Sequence, residues 1–437
     1  MNLPQILSLI LLVVILVLAV WRHVNIGLLG FSAAAIMVMA TTAIADGSDT
    51  YTVLTSKDVL SHFPGAIVTL LIGVSLLFAH LEKSGGLSWF TDQIYAKMGH
   101  RTNIVPWIGY FIGFAISTAG AFSTASITLL VPVIAALGRK HPRLFFICEM
   151  AAIIGANTGA LSPINPTGQV ILDAAKKAHV EYSPWLVWFL GMLISFVLVI
   201  ALQIVFQDKR VVETSDSKAP EKGFALLKPI KQENGDNHQL QPFYAICSTI
   251  AVLIFLILVI FAKANVGLTA LTLAVIMMLF FTQQSKDFVK KIPWNAVVVI
   301  SGLLVFIGTM MQVDTMKAVE QGLLSMTSSK IALLFMLAYL TTFLSNVESS
   351  TLGVISLMIP MVFTIFGDSP QISLILTACA APAMLSVVNP IHIAGTLVVS
   401  VTEEKQQEMM FKRLLIIAFA TVPFFPGLAM IVPALMM

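Results

Sequence analysis

Of the 437 residues, 58% are hydrophobic and only 11% charged, and the mean hydropathy is +0.93, which excludes a soluble globular core and points to a polytopic membrane protein. A formal net charge of +3 excludes the strongly basic surface of a nucleic-acid binder, so the cations are read as topology markers. The three cysteines, Cys148, Cys247 and Cys379, fall in apolar segments and imply packing, not a disulfide framework.

In chain order, an apolar run ends at Trp21 with no basic region before it and no small-residue cleavage site after it, so it is read as a first span and not a removable signal. Arg22 and His23 follow, then residues 25–45 as a second span. The loop 46–58 carries Asp46, Asp49 and Asp58 against Lys57 and is placed outside. A third span, 64–81, returns to Lys83, Lys97 and Arg101, and 85–100, with Trp89, Phe90 and Tyr95 at near-helical spacing, is expected along the interface.

Residues 104–137 form a stretch of 34 (137 − 104 + 1) without a charge, interrupted by the small polar run from Ser117 through Gly120 to Ser123 and Thr124. A single span needs about 20 residues, so the stretch is long for one crossing and short for two. Arg101 lies before it, and Arg139, Lys140 and Arg143 after it, which puts both ends on the cytoplasmic face and predicts a re-entrant hairpin. The next apolar helix, 144–173, is broken at Leu161-Ser162-Pro163-Ile164-Asn165-Pro166-Thr167-Gly168. Two prolines three apart remove donors and clash with the preceding turn, freeing backbone groups that lipid cannot satisfy. Such backbone survives at depth only inside protein or along a wet cavity. Lys176, Lys177 and His179 then sit in a loop expected outside, the one basic loop opposed to the scheme. Residues 185–206 cross inward, and the polar segment 207–241, with Lys209, Arg210, Lys218, Lys222, Lys228 and Lys231, is predicted as a cytoplasmic linker.

The second half repeats the first. Asn25-Ile26-Gly27-Leu28 recurs as Asn265-Val266-Gly267-Leu268, 240 residues later (265 − 25). Ser117, Ile127 and Pro132 recur as Ser345, Ile355 and Pro360, an offset of 228 (360 − 132). Leu161-Ser162 and Asn165-Pro166 are matched to Leu385-Ser386 and Asn389-Pro390, an offset of 224 (389 − 165). Segments repeating in one order at similar offsets indicate duplication. The expected architecture is an all-α polytopic membrane protein of two repeats, 1–206 and 242–437, each with five spans, a hairpin (104–137 and 331–366) and a broken span (144–173 and 371–401). An odd number of crossings inverts one copy against the other. Lys286, Lys290, Lys291, Lys405, Lys412 and Arg413 mark inside loops, and the cation-free Gly367-Asp368-Ser369-Pro370 marks an outside one. Inverted repeats with broken helices meeting at the membrane centre are a common transporter plan, with the substrate at the repeat interface.

Two hairpins, each followed by a span broken at a Ser-Pro-x-Asn type sequence, resemble the divalent anion/sodium symporters of the ion transporter superfamily. Over about the first 170 residues, the segments NIGLLGFSAAAIM, HFPGAIVTLLIGVSLLFAHLEKSGGL and GANTGALSPINPTG are more specifically similar to the malonate/dicarboxylate carrier family. In the symporters, Ser-Asn-Thr motifs at the hairpin tips hold substrate carboxylates and sodium. The matching places here read Phe122-Ser123-Thr124 before Pro132 and Ser350-Thr351-Leu352 before Pro360, without the asparagine. The resemblance implies a homodimer and an elevator-like movement.

No Lys or Arg lies in the hairpins or breaks, so an anion there is expected to be held by helix N-termini, amides and hydroxyls. The candidate substrate-binding residues are Ser123, Thr124, Ser162, Asn165, Thr167, Ser350, Thr351, Ser386, Asn389 and His392. The candidate cation-coupling residues are Ser117, Ser345, Asn346 and Glu348, with Na+ near Asn165 and Asn389 or H+ as the coupling ion, and no transition metal. A competing assignment has these hydroxyls only bonding their own carbonyls or joining helices. Glu348 and His392 stand where the first copy has Gly120 and Gly168, and ionisable groups at that depth are functional by default. Against this, either side chain can be buried neutral for structural reasons alone. Glu149 is read as solvated near a cytoplasmic end and Asp173 near an outer one. No acid pair, Gly-x-Ser-x-Gly elbow, His-Glu-x-x-His pair or phosphate loop is present, which argues against an enzyme or a primary pump. The sequence thus predicts a cation-coupled secondary carrier of a small dicarboxylate in the cell (inner) membrane, with no organic cofactor and no nucleic-acid partner. The alternatives are a sodium/proton antiporter using Glu348 and an anion channel.

Overall fold

The structure, a computed structural model, describes residues 2–22, 24–44, 53–86, 104–138, 142–206, 241–327, 329–347, 351–386, 388–390, 392–402 and 404–436. The expected interfacial segment beyond residue 86 and the linker up to residue 240 lie outside these residues. Among the described residues there are twenty helices and no strand. In the first half these are α1 (Leu3–Arg22), α2 (Ile26–Ile44), α3 (Ser56–Ser61), α4 (Gly65–Lys83), α5 (Val105–Thr118), α6 (Ser123–Gly138), α7 (Pro142–Gly159), α8 (Pro166–Ala178) and α9 (Pro184–Phe206). They continue as α10 (Pro242–Ile260), α11 (Val266–Phe280), α12 (Thr282–Ser285), α13 (Phe288–Lys291), α14 (Trp294–Gln312), α15 (Thr315–Met326) and α16 (Lys330–Val347). The last four are α17 (Thr351–Phe366), α18 (Ile372–Leu385), α19 (Ile393–Val401) and α20 (Glu404–Met436). Four of them, α7 to α10, begin on proline, which has no amide to lose at that position.

Among the described residues, six helical stretches are long and apolar enough to cross a membrane, and six shorter apolar stretches of 10–17 residues accompany them. The arms of the second hairpin and the helices before the breaks are among the short ones. The fourteen residues of α18 rise about 21 Å, less than the ~30 Å hydrocarbon thickness. Thirteen of them are buried, so α18 is a core element with no lipid-facing side, whereas α9 and the C-terminal α20 expose most of their apolar surface.

Two close helix pairings hold the first part of each half against the other. The amide groups of Gly27 and Leu28 bond to Asn25 Oδ1, and Leu268 N bonds to Asn265 Oδ1, so each Asn-x-Gly-Leu sequence caps its own helix. The glycine of each then lets a helix of the other half approach. A Cβ on Gly302 of α14 would stand 1.8 Å from Gly27 O in α2, and a Cβ on Gly73 of α4 would stand 2.7 Å from Gly267 O in α11. The contacts are reciprocal, α2 with α14 and α4 with α11.

The hairpin α5–α6 is antiparallel. A Cβ on Gly109 would meet Ile134 at 3.0 Å and one on Gly113 would meet Leu130 at 3.2 Å, while Ser117 Oγ donates to Ser126 Oγ at 3.1 Å near the turn. Helices α5 and α7 run parallel with their backbones touching, because Gly155 packs on Tyr110 O and Gly159 on Phe114 O, where a Cβ would stand at 2.1 and 2.4 Å. The two Gly-x-x-x-Gly spacings, 109/113 and 155/159, provide this surface. In the second half α16 packs on α18 and α17 in the same order. The halves also meet through α7 with α18, and through a second reciprocal pair, α6 with α19 and α17 with α8.

Because backbone atoms line both sides of the Gly27–Gly302 contact, Gly302→Ala forces a shift costing roughly 1–3 kcal/mol, more than the ~1 kcal/mol of helix propensity gained. Thermal unfolding in detergent is expected to show a clear loss of stability. Gly322→Ala, where nothing lies within 4 Å of the added carbon, should leave the transition unchanged or raised.

Candidate functional site

The parallel packing of α5 on α7 brings the end of one to the end of the other, so the hairpin turn meets the break. Thr118 N lies near the position of a Cβ on Gly159, and Gly120, whose φ of 116° suits glycine, turns beside Ile164. Asn165 closes this junction. Its Nδ2 donates to Ser117 O and Ala121 O, each at 2.8 Å, and its Oδ1 accepts from Thr167 N at 3.0 Å, capping α8. Ser162 Oγ donates to Thr118 O at 3.0 Å and accepts from Ile164 N at 3.2 Å. Thr118 Oγ1 accepts from Trp188 Nε1 at 3.1 Å, tying α9 to the same turn. Ser117, Ser162, Asn165 and Thr167 are buried, Ser123 nearly so, and Thr124 is partly exposed on the second arm.

The second junction is built from different side chains. Asn346 Nδ2 donates to Thr342 O and Ser386 Oγ, each at 3.0 Å, and Asn389 Nδ2 donates to Asn346 O at 2.9 Å. Thr351 Oγ1 lies 3.4 Å from His392 Nε2, linking α17 to the start of α19. Three buried polar atoms here have no hydrogen-bond partner among the described residues: Ser345 Oγ, Asn346 Oδ1 and His392 Nδ1. Glu348 and Ser350 lie outside the described residues.

The sequence pairing of Asn165 with Asn389, and of His392 with Gly168, differs from the structural one. Asn165 N bonds to Ser162 O and His392 N to Asn389 O, each at 2.9 Å, and Asn165 and His392 are the N-caps of α8 and α19. A Cβ on Gly168 would meet Ser162 O at 2.0 Å, and one on Gly395 would meet Asn389 O at 2.3 Å. Gln169 and Thr396 bond to Pro163 O and Pro390 O, six residues back in each case. The break therefore repeats at 227 (392 − 165), close to the hairpin offset and three residues from the 224 of the matching letters. What the fold repeats is the pass of a glycine over the break carbonyl, which the Leu-Ser pair does not report.

Glu149 is corrected as well. It is wholly buried, and neither carboxyl oxygen has a partner among the described residues. Helix α7 begins at Pro142, so Glu149 lies two turns inside it, under helices that the glycine surfaces bring close. Those Gly-x-x-x-Gly spacings were the available signal. Asp173, by contrast, pairs at a partly exposed site with Lys177 at 3.0 Å. Cys148, Cys247 and Cys379 are free thiols.

A family model described as a citrate transporter (CitMHS) matches residues 14–380. Among solved structures, the chain is similar to the YdaH transporter of Alcanivorax borkumensis, at 13% identity over 98% of each chain with a TM-score of 0.52, a likeness of fold alone. No curated protein matches the sequence. The family match spans most of the 437 residues, and the chain thus belongs to the citrate transporter family: it is a multi-pass membrane transporter of a carboxylate substrate and not an enzyme.

Proposed function

We propose that the chain is a secondary active carrier of a small dicarboxylate, malonate-like or a C4 dicarboxylate, coupled to Na+ or H+ and working by an elevator-type movement. The second junction carries the reading. A buried polar atom without a partner costs about 1–3 kcal/mol, and native proteins keep few of them, so three without a partner among the described residues, two at the end of α16 and one at the start of α19, support a place where a ligand supplies bonds. With Thr351 Oγ1 donating to His392 Nε2, the ring proton sits on Nδ1, a donor for a carboxylate beside the N-terminus of α19. Ser123, Thr124, Thr351 and the capped start of α8 are the further groups that would hold the anion. Asn346 Oδ1 and Ser345 Oγ are hard oxygen donors of the kind a sodium ion takes. In the first half the oxygens of Ser117 and Asn165 already have hydrogen-bond partners.

The reciprocal helix pairings and the shared plan of the two junctions support two inverted repeats, with Lys286, Lys290 and Lys291 inside and Asp368 outside, in the cell inner membrane. A homodimer follows from the family resemblance.

Purified protein in liposomes should take up labelled malonate, succinate or citrate against its gradient when a sodium or proton gradient is imposed. Equal inside and outside levels under every gradient would instead make it a channel. On a background without native cysteines, Asp368→Cys should react with impermeant reagent from outside and Lys290→Cys only from inside; reaction from one face would break the inverted count.

Asn165→Ala removes a helix cap and two carbonyl bonds, an expected stability loss of roughly 2–4 kcal/mol, and should reduce uptake more than tenfold. Asn295→Ala, which removes an exposed bond to Asn25, should leave uptake within about twofold. His392→Ala should abolish uptake and His392→Asn, restoring the amide of the first junction, should recover part of it; wild-type uptake by His392→Ala would remove the imidazole from the site.

A further inference from the structure

Glu149 has no part in the site described above. It lies ten residues before the end of α7, and that helix runs unbroken from it to Gly159 at the edge of the first break. The side chain is 0% exposed and neither oxygen is hydrogen-bonded among the described residues. At four-residue spacing, Glu149, Ile153 and Asn157 form one stripe of the helix, and Asn157, 5% exposed, also has an unbonded Nδ2. The stripe thus holds two polar groups without partners among the described residues.

The elements packed on α7 are α5, α6, α9 and α18. Their titratable groups are few: Tyr110 on α5, whose hydroxyl is bonded to Ser195, and Cys379 on α18, with none on α6 or α9. On α7 itself are Cys148, adjacent, and Arg143, six residues earlier and about 120° round the axis. None of the four packed helices carries a cation, so no counter-charge on them compensates an ionised Glu149. A carboxylate that finds no hydrogen bond or counter-ion among the described residues is costly in such a place, which favours the form with its proton on.

Resting on the carrier reading above and on its H+ alternative, we propose that Glu149 is the proton-binding group of the transport cycle. In a conformation that wets this stripe, the carboxylate takes a proton from water on one side, the O–H bond forming as hydronium becomes water. The neutral acid is compatible with the sealed conformation, and the reverse transfer releases the proton to water on the other side. Because α7 ends at the junction and is locked to α5 through Gly155 and Gly159, movement of the junction moves Glu149 with it. Coupling follows when the anion-loaded carrier seals with Glu149 protonated and the empty carrier, after releasing the proton, returns with this stripe still wet and Glu149 ionised.

The test is Glu149→Gln, uncharged and nearly isosteric, in proteoliposomes with whichever of malonate, succinate or citrate the wild type transports. The expected result is substrate exchange within about threefold of wild type, at least a tenfold loss of accumulation driven by a pH gradient, and loss of one proton co-transported per cycle. In wild type, dicyclohexylcarbodiimide should label Glu149 more strongly as pH falls. Undiminished pH-driven accumulation by Glu149→Gln, or wild-type uptake that ignores the pH gradient and follows sodium alone, overturns the proposal and leaves the carrier reading standing. Should Glu149→Gln lose exchange too, Glu149→Asp decides: recovered exchange with a displaced pH profile supports the proposal, and an unchanged profile or no recovery overturns it. Wild type that moves none of the three anions overturns the carrier reading itself.

Discussion

A backbone that turns back inside an apolar body must find partners for its own amides and carbonyls within the protein, and Asn165 is where the first half meets that requirement. One side chain serves two carbonyls at the end of the hairpin arm and one amide at the start of α8. Ser162 does the same on a smaller scale, donating to Thr118 O while accepting from Ile164 N. Turn and break are therefore one structural unit. The polar residues that look like a binding site in the sequence are in part what makes the irregular backbone affordable.

The second constraint is the distance between helix axes. In an apolar medium there is little hydrophobic gain in pressing one helix on another, so contact surfaces are built from small residues that admit backbone-to-backbone approach. Gly27 against Gly302 and Gly73 against Gly267 set the spacing between the halves, and Gly109, Gly113, Gly155 and Gly159 set the spacing of α5 on α7. The latter surface fixes the level at which Thr118 meets Gly159, and hence the place of the junction.

How much of this the sequence revealed follows from which signals are one-dimensional. Composition was enough for an all-helical polytopic protein, and the charge-free stretch 104–137, with its small polar interruption, covers α5 and α6. The Asn-x-Gly-Leu repeat was legible because all its roles, cap and close contact, lie within four consecutive residues. The register of the second break was not legible, since it depends on where Gly395 passes over Asn389 O, and the Leu-Ser pairs that caught the eye are ordinary membrane-helix residues. The burial of Glu149 escapes the sequence for a similar reason: Arg139, Lys140 and Arg143 nearby indicate a wet end, while its burial is decided by helices about forty residues away in sequence.

The two junctions share a backbone plan and differ in what they leave unsatisfied. In the first, Asn165 and Ser162 are engaged on both donor and acceptor sides; in the second, His392 caps no amide with its side chain. A duplicated fold supplies two equivalent turns, and nothing in the duplication requires both to serve one end. The first junction is held by its own internal bonds, through Asn165 and Ser162. The second has a hydroxyl, an amide oxygen and an imidazole nitrogen in a buried place without a hydrogen-bond partner among the described residues. The same backbone turn is therefore closed by internal bonds in one half, whereas in the other it leaves polar atoms without a partner among the described residues.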